Sequence, residues 1–294
     1  MMVSTSEPAK EPPTESWGSN EPPSVQGWTY PARPEWIHDL LALWERNKPL
    51  VQLLELATDR VAQDIPTANT RRRIFFQIAG YFVPTSNSGR RSRTASPNPW
   101  AAYSQLYGAN TLASAYLLNI VDLNEMAYAV AWLLHHQYAI GDMVELRAIR
   151  RHLVARFDDR PSARAGASSL LRTLAHFGVM KQTISAGEFE YAARLPVDVA
   201  AFPLLMWAWW RARRVGVIRI PDLVEDPLLT FVDHASYADH WSAYEGSLWA
   251  LEIHDGTECA VLRCSDEVSF VRSMFNLLSS HPRWPSVSRQ FPEP

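Results

Sequence analysis

Residues 161–183, PSARAGASSLLRTLAHFGVMKQT, decide how the chain is read. At about 100° per residue, Ala163, Ala167, Leu170, Leu171, Leu174 and Phe177 gather on one side of a helix. Arg164, Ala165, Ser168, Arg172 and His176 gather on the other. Gly166 and Ala167 are small enough to let neighbouring helices approach, Ser162 is placed to cap the N-terminus, and Gly178 suits the left-handed position that ends a helix. Beyond it, Val179–Thr183 and Phe189–Ala193 read as strands around a turn at Ser185-Ala186-Gly187. Upstream, Asp122 with Glu125 predicts a capping box and a first helix through Met126, Val130, Leu133 and Leu134, stopped by Gly141. Asp142 with Glu145 repeats the pattern and opens a second helix with Leu146, Ile149, Leu153 and Phe157 inward. Arg147, Arg150 and Arg151 fall on or beside its outer face.

Working outward, residues 1–33 are rich in Pro, Glu and Ser and read as a disordered tail, with Trp17 and Trp28 able to anchor it. Residues 34–120 form a helical N-terminal domain: Ile37, Leu40, Leu41 and Trp44 share one face, and further helices follow Pro49 and Thr67. The interval 84–99 is a loop by composition and carries Arg90, Arg91 and Arg93. Residues 121–195 hold the three helices and hairpin. Residues 196–280 repeat the layout as a second, acidic module, with a strand at Val217–Ile220, a helix opening at Pro221-Asp222, another at Ala235–Tyr244 and a hairpin across His254-Asp255-Gly256-Thr257. A helix over Asp266–Leu278 follows, and residues 281–294 are expected to be a flexible tail. The fold class expected is mainly α with small β-hairpin wings, a helical N-terminal region preceding tandem winged-helix-like modules.

A chain of 294 residues, 47% hydrophobic, fits two or three small domains. The net charge of −3 does not mark a nucleic-acid binder, but charge is segregated. Residues 71–93 contain six Arg and no acid, whereas residues 222–267 contain eleven acids and one base, Arg263. Cys259 and Cys264, five residues apart on one apparent strand, are not placed to bridge, which suits a reducing, cytoplasmic setting. The N-terminus lacks the basic and apolar parts of a secretory signal. The fourteen-residue apolar run Val197–Trp210 contains Pro203 and is short of a membrane span, so no membrane partner is expected.

The stretch ending SSLLRTLAHFGVMKQ before a hairpin resembles winged helix-turn-helix domains. That resemblance implies a third helix in the major groove and a wing on the backbone. Ser162, Arg164, Ser168 and Arg172 would then face double-stranded DNA, with Lys181 and Arg194 flanking it and Arg90, Arg91 and Arg93 as a basic arm. Such helices also dock proteins or serve structure alone. The element order and the phrases LLRTLAHFGVM and DPLLTFV resemble the BrxA family of BREX phage-defence islands, which implies non-catalytic DNA binding in bacterial defence. The acidic module would repel phosphates and is expected to contact a protein partner or pack on the first unit. The rival expectation is a scaffold subunit marked by a Trp-rich surface at Trp207, Trp209, Trp210 and Trp241. No P-loop, G-x-S-x-G or H-E-x-x-H motif is present, and the repeat Asp233-His234, Asp239-His240 puts its two imidazoles out of phase on a helix. No enzyme activity, metal or cofactor is expected.

Overall fold

Among the described residues six helices come first: α1 (Pro34–Ala42), α2 (Leu50–Arg60), α3 (Ala68–Phe82), α4 (Pro99–Leu106), α5 (Ala109–Leu123) and α6 (Glu125–Gln137). Strand β1 (Met143–Glu145), α7 (Leu146–Phe157), α8 (Pro161–His176), β2 (Met180–Gln182) and β3 (Glu188–Tyr191) complete the first winged unit. The second contains α9 (Phe202–Arg213), β4 (Val217–Arg219), α10 (Tyr237–Ala243), β5 (Trp249–His254) and β6 (Thr257–Leu262). Helices α11 (Glu267–Leu278) and α12 (Trp284–Val287) close the chain. The computed structural model describes residues 28–85, 92–95 and 97–291.

Both units share one topology: a helix, a short strand, helical turns, a further helix and a hairpin. Each folds a three-stranded antiparallel sheet in which the last strand is central, in the orders β1-β3-β2 and β4-β6-β5. Val144 pairs with Phe189 and Lys181 with Glu190 in the first sheet, and His254 with Thr257 at the end of the second. Asp255 and Gly256 both take positive φ, 50° and 75°, as a two-residue hairpin turn requires. The expected fold class, mainly α with small β wings, is the one observed.

Several boundaries differ from the sequence reading. Asp122 does not cap α6; it lies in the last turn of α5, and Asn124 caps instead, its side chain accepting from Ala127 N. Asp142 does not open α7, because Met143–Glu145 is β1; an interval of three residues is too short for its alternation to outweigh a capping pattern. Ser162 is not the N-cap of α8: Arg160 holds that place and Pro161 is the first helical residue. The helix expected from Pro221 is replaced by two 3₁₀ turns, Ile220–Glu225 and Pro227–Leu229, with a proline at the second and first residue respectively.

The two expected tails are also corrected where the structure describes them. Trp28 is fully buried, and its Nε1 donates to Thr173 Oγ1 at 2.9 Å. Ala32 N donates to the same oxygen at 3.0 Å, and Ser169 Oγ donates to Thr29 O at 2.8 Å. Residues 28–33 are therefore a strap laid along α8. Buried, low-complexity-flanked aromatics of this kind escape a compositional reading. At the other end, Phe291 is buried and stacks on Trp44 with ring centroids 4.8 Å apart. Residues 1–27 lie outside the described residues.

One hydrophobic cluster runs from Trp28 to Phe291 and includes both winged units. Trp207, Trp209, Trp210 and Trp241 are all buried in it, so the Trp-rich surface expected of a scaffold does not exist. Helix α9 is tied to both sides: Arg211 donates to Asn119 Oδ1 at 2.6 Å and to Asp122 Oδ2 at 3.2 Å, while Arg213 and Trp209 both donate to Asp226. Part of the acidity of residues 222–267 is thus compensated internally. Among the described residues no single helix is long and apolar enough to cross a membrane; α5 and α6 pass that test only as a pair bent by 110°, and both are largely buried in the core.

Candidate nucleic-acid interface

Helix α8 forms because its small and aliphatic positions recur every three to four residues, and Pro161 pre-sets its first turn. Ala163, Gly166, Ala167, Leu170, Leu171 and Leu174 are buried. Gly166 is needed where it sits: a Cβ there would meet Met126 Sδ at 3.2 Å. The opposite ridge, Arg164, Ala165, Arg172 and His176, is exposed, with Ser168 half-buried beside it. The strap lies along the Ser169–Thr173 edge and leaves this ridge open.

The arginines of the ridge are not equivalent. Arg164 makes a two-pronged pair with Asp159, its Nε donating to Oδ1 at 2.6 Å and Nη2 to Oδ2. The turn 158–160, with Asp158 at φ 63°, brings that carboxylate back onto the first turn of the helix. Arg164 is therefore not the uncompensated cation that the helical pattern suggested. Arg172 is exposed and has no carboxylate partner among the described residues. Ser162 is half-buried in the first turn. Lys181 is exposed on the wing strand β2, opposite Glu190.

Two further arginines named from sequence lie elsewhere. Arg194 is half-buried close to Tyr191 rather than exposed on the flank of the ridge. Arg93 is exposed but belongs to the N-terminal helices: its backbone bridges Pro49 and its Nη1 donates to Asn47 O at 2.7 Å. Arg90 and Arg91 lie outside the described residues.

Two features escaped the list of site residues. Arg150 of α7 joins Asp159, Pro161, Arg164 and Ala165 around a shallow depression of about 450 Å³ between α7 and α8. Ile184 at the tip of the β2–β3 wing is fully exposed. An aliphatic residue in the polar turn TISAGE is the signal that could have marked it. From Leu146 to Lys181 the chain carries eight Lys and Arg side chains against two carboxylates, Asp158 and Asp159. The corresponding surface of the second unit has the opposite sign. Helix α10 buries Tyr237, His240 and Trp241 and exposes Ala238, Asp239 and Ser242.

His234 and His240 do not converge: His240 Nε2 is 2.8 Å from Val197 O, and His234 is half-buried under Tyr237. No group of three or more His, Cys, Asp or Glu with metal-holding geometry occurs among the described residues. Cys259 and Cys264 are both buried and free.

Three helices, the third with an open face, and a three-stranded sheet ending in a wing make the first unit winged-helix-like; the second repeats the sheet and wing with two 3₁₀ turns in place of the middle helix. No family model and no curated protein matches the chain. A solved structure of a protein named SspB is similar at a TM-score of 0.55 and 13% identity, over 89% of this chain and 93% of that one. A magnesium-ion-bound SspB structure gives a TM-score of 0.49 at 15% identity, over 90% and 92%. The first of these likenesses is one of fold, and it takes in the helical N-terminal region as well as both winged units.

Proposed function

We propose that this chain is a non-catalytic double-stranded-DNA-binding adaptor that presents α8 to the major groove and the β2–β3 wing to the adjoining backbone. The observation that carries the reading is the open ridge of α8, with Arg172 unpaired by any carboxylate among the described residues and the wing's Lys181 exposed. Arg172 can grip a guanine edge or a phosphate through two parallel hydrogen bonds, and Ser168 can reach either. Arg150 and Lys181 supply phosphate contacts on either flank. The acidic unit, with Asp239 on the exposed side of α10 and Glu252, Asp255 and Glu258 on its hairpin, is turned away from phosphate by its charge and serves as the docking side for a protein partner.

The test is titration of the full chain with a labelled duplex of about two helical turns. Affinity is expected to fall steeply between about 50 and 200 mM salt as counterions are released. Arg172→Ala should weaken binding by about 1–3 kcal/mol if it reads a base, or lower the salt slope by about one if it holds a phosphate. A variant that binds duplex as the parent chain does, with the same slope, would remove α8 from the interface.

A further inference from the structure

The outward stripe of α3 is a second surface whose chemistry the α8 reading does not use. Asn69, Arg72, Arg73, Phe76 and Gly80 recur at helical spacing and are exposed. Phe76 is 67% exposed, and every other described Phe, Tyr and Trp is buried or half-buried. Among the described residues, which otherwise hide their aromatics, one ring is left in water, between two arginines and a glycine.

The ring overlooks a groove of about 670 Å³, a size suited to a small ligand. The strap forms one wall, and that wall is held from both sides. Gln77 Oε1 accepts Thr29 N at 3.1 Å and Tyr30 N at 3.3 Å, while its Nε2 donates to Tyr30 O at 3.0 Å. Arg73 Nη1 donates to the Tyr30 phenol at 3.3 Å. The groove is thus formed before any ligand arrives. Among the described residues no carboxylate lines it, and Arg72 and Arg73 do.

We propose that this groove binds single-stranded nucleic acid, with an unpaired base stacked on Phe76 over the flat floor at Gly80 and its phosphates held by Arg72 and Arg73. A duplex hides its base faces, so an exposed ring has nothing to stack on there; an unpaired strand offers a π-face at every nucleotide. The arginines select a polyanion over an apolar peptide. The inference does not rest on duplex binding by α8, because the two surfaces lie on different helices.

The experiment measures binding of the full chain to an oligothymidylate of about twelve residues and to an abasic strand of equal length, at low salt. The oligothymidylate should bind more tightly than the abasic strand. Phe76→Ala should weaken oligothymidylate binding by about tenfold while changing the abasic strand little. Gly80→Leu tests the floor without threatening the fold, since a Cβ at that position meets nothing within 4 Å; it should block the same binding. Arg172→Ala should leave it unchanged while weakening the duplex. Equal affinity for the two strands, or parent-like binding by both Phe76→Ala and Gly80→Leu, would overturn the proposal, the former reducing the stripe to a nonspecific polyanion surface.

Discussion

Arg164 and Arg172 lie eight residues apart on one ridge, yet their charges are differently available. The Arg164–Asp159 pair is exposed on both sides, 63% and 55% for the side chains, so it adds little to the stability of the fold. Its effect on an approaching phosphate is larger in kind, because Asp159 both occupies the guanidinium and repels the polyanion. Asp159→Asn is therefore expected to tighten duplex binding severalfold, the opposite of the loss expected for Arg172→Ala. Anisotropy titrations of the two variants side by side decide it; weaker binding by Asp159→Asn would mean that the pair orients Arg164 productively and that its release is harmful. The ridge itself was legible from sequence, since Arg164, Ala165, Ser168, Arg172 and His176 follow from spacing alone. The pairing was not, because it depends on how the turn 158–160 bends, and that is set by a positive φ at Asp158. The position of Arg194 was not legible either: it is half-buried beside the buried Tyr191, and nothing in the residues around it signals that burial.

At the level of elements, periodicity identified long helices and failed at short or partnered segments. Helix α3 begins after Thr67 and α11 carries a full capping box on Asp266, both as local chemistry dictates. Strand β1 is three residues long and exists because β3 offers it a ladder. The strap 28–33 likewise owes its order to α8: Thr173 Oγ1 accepts from Trp28 and Ala32 and donates to Ser169 O at 2.9 Å. Composition called this interval a tail because the partner lies some 140 residues away. Trp28→Ala removes a fully buried indole and leaves the Thr173 hydroxyl short of a donor. The expected cost is about 3–5 kcal/mol, read as a lower urea midpoint for the full chain. Trp28→Phe should retain most of the packing and lose the hydrogen bond, at about 0.5–1.5 kcal/mol for that contact. Equal midpoints for the parent and Trp28→Ala would show that the strap adds nothing to the fold.

Across the whole molecule, the two winged units and the N-terminal helices share one core, and imidazoles are built into it uncharged. Burial, aided by neighbouring basic groups, holds His135 and His152 below the ordinary imidazole range and pushes His234 down to about 4. His234 and His135 both lie near Arg194, where α6 and the 229–234 segment of the second unit meet; Thr230 Oγ1 is 3.2 Å from His135 Nδ1 there. In the unfolded chain each of these side chains takes a proton near pH 6.5. The folded chain resists that proton, for His234 until about pH 4. Above pH 6.5 neither state is protonated and stability is indifferent to these groups. As pH falls from 6.5 towards 4, the unfolded state binds more protons and the stability held in the neutral imidazoles is lost. His234 is only half-buried, so its share, discounted for solvent screening, is on the order of 1–2 kcal/mol. Urea midpoints should therefore drop between about pH 7.5 and about pH 5.5, and the drop should be smaller for His234→Gln, which cannot titrate. Because His135 and His234 sit where the first unit packs on the second, the acid-side loss should appear as one cooperative transition of the chain. Midpoints that do not move between the two pH values, or a His234→Gln variant with the parent's full drop, would place the pH dependence elsewhere.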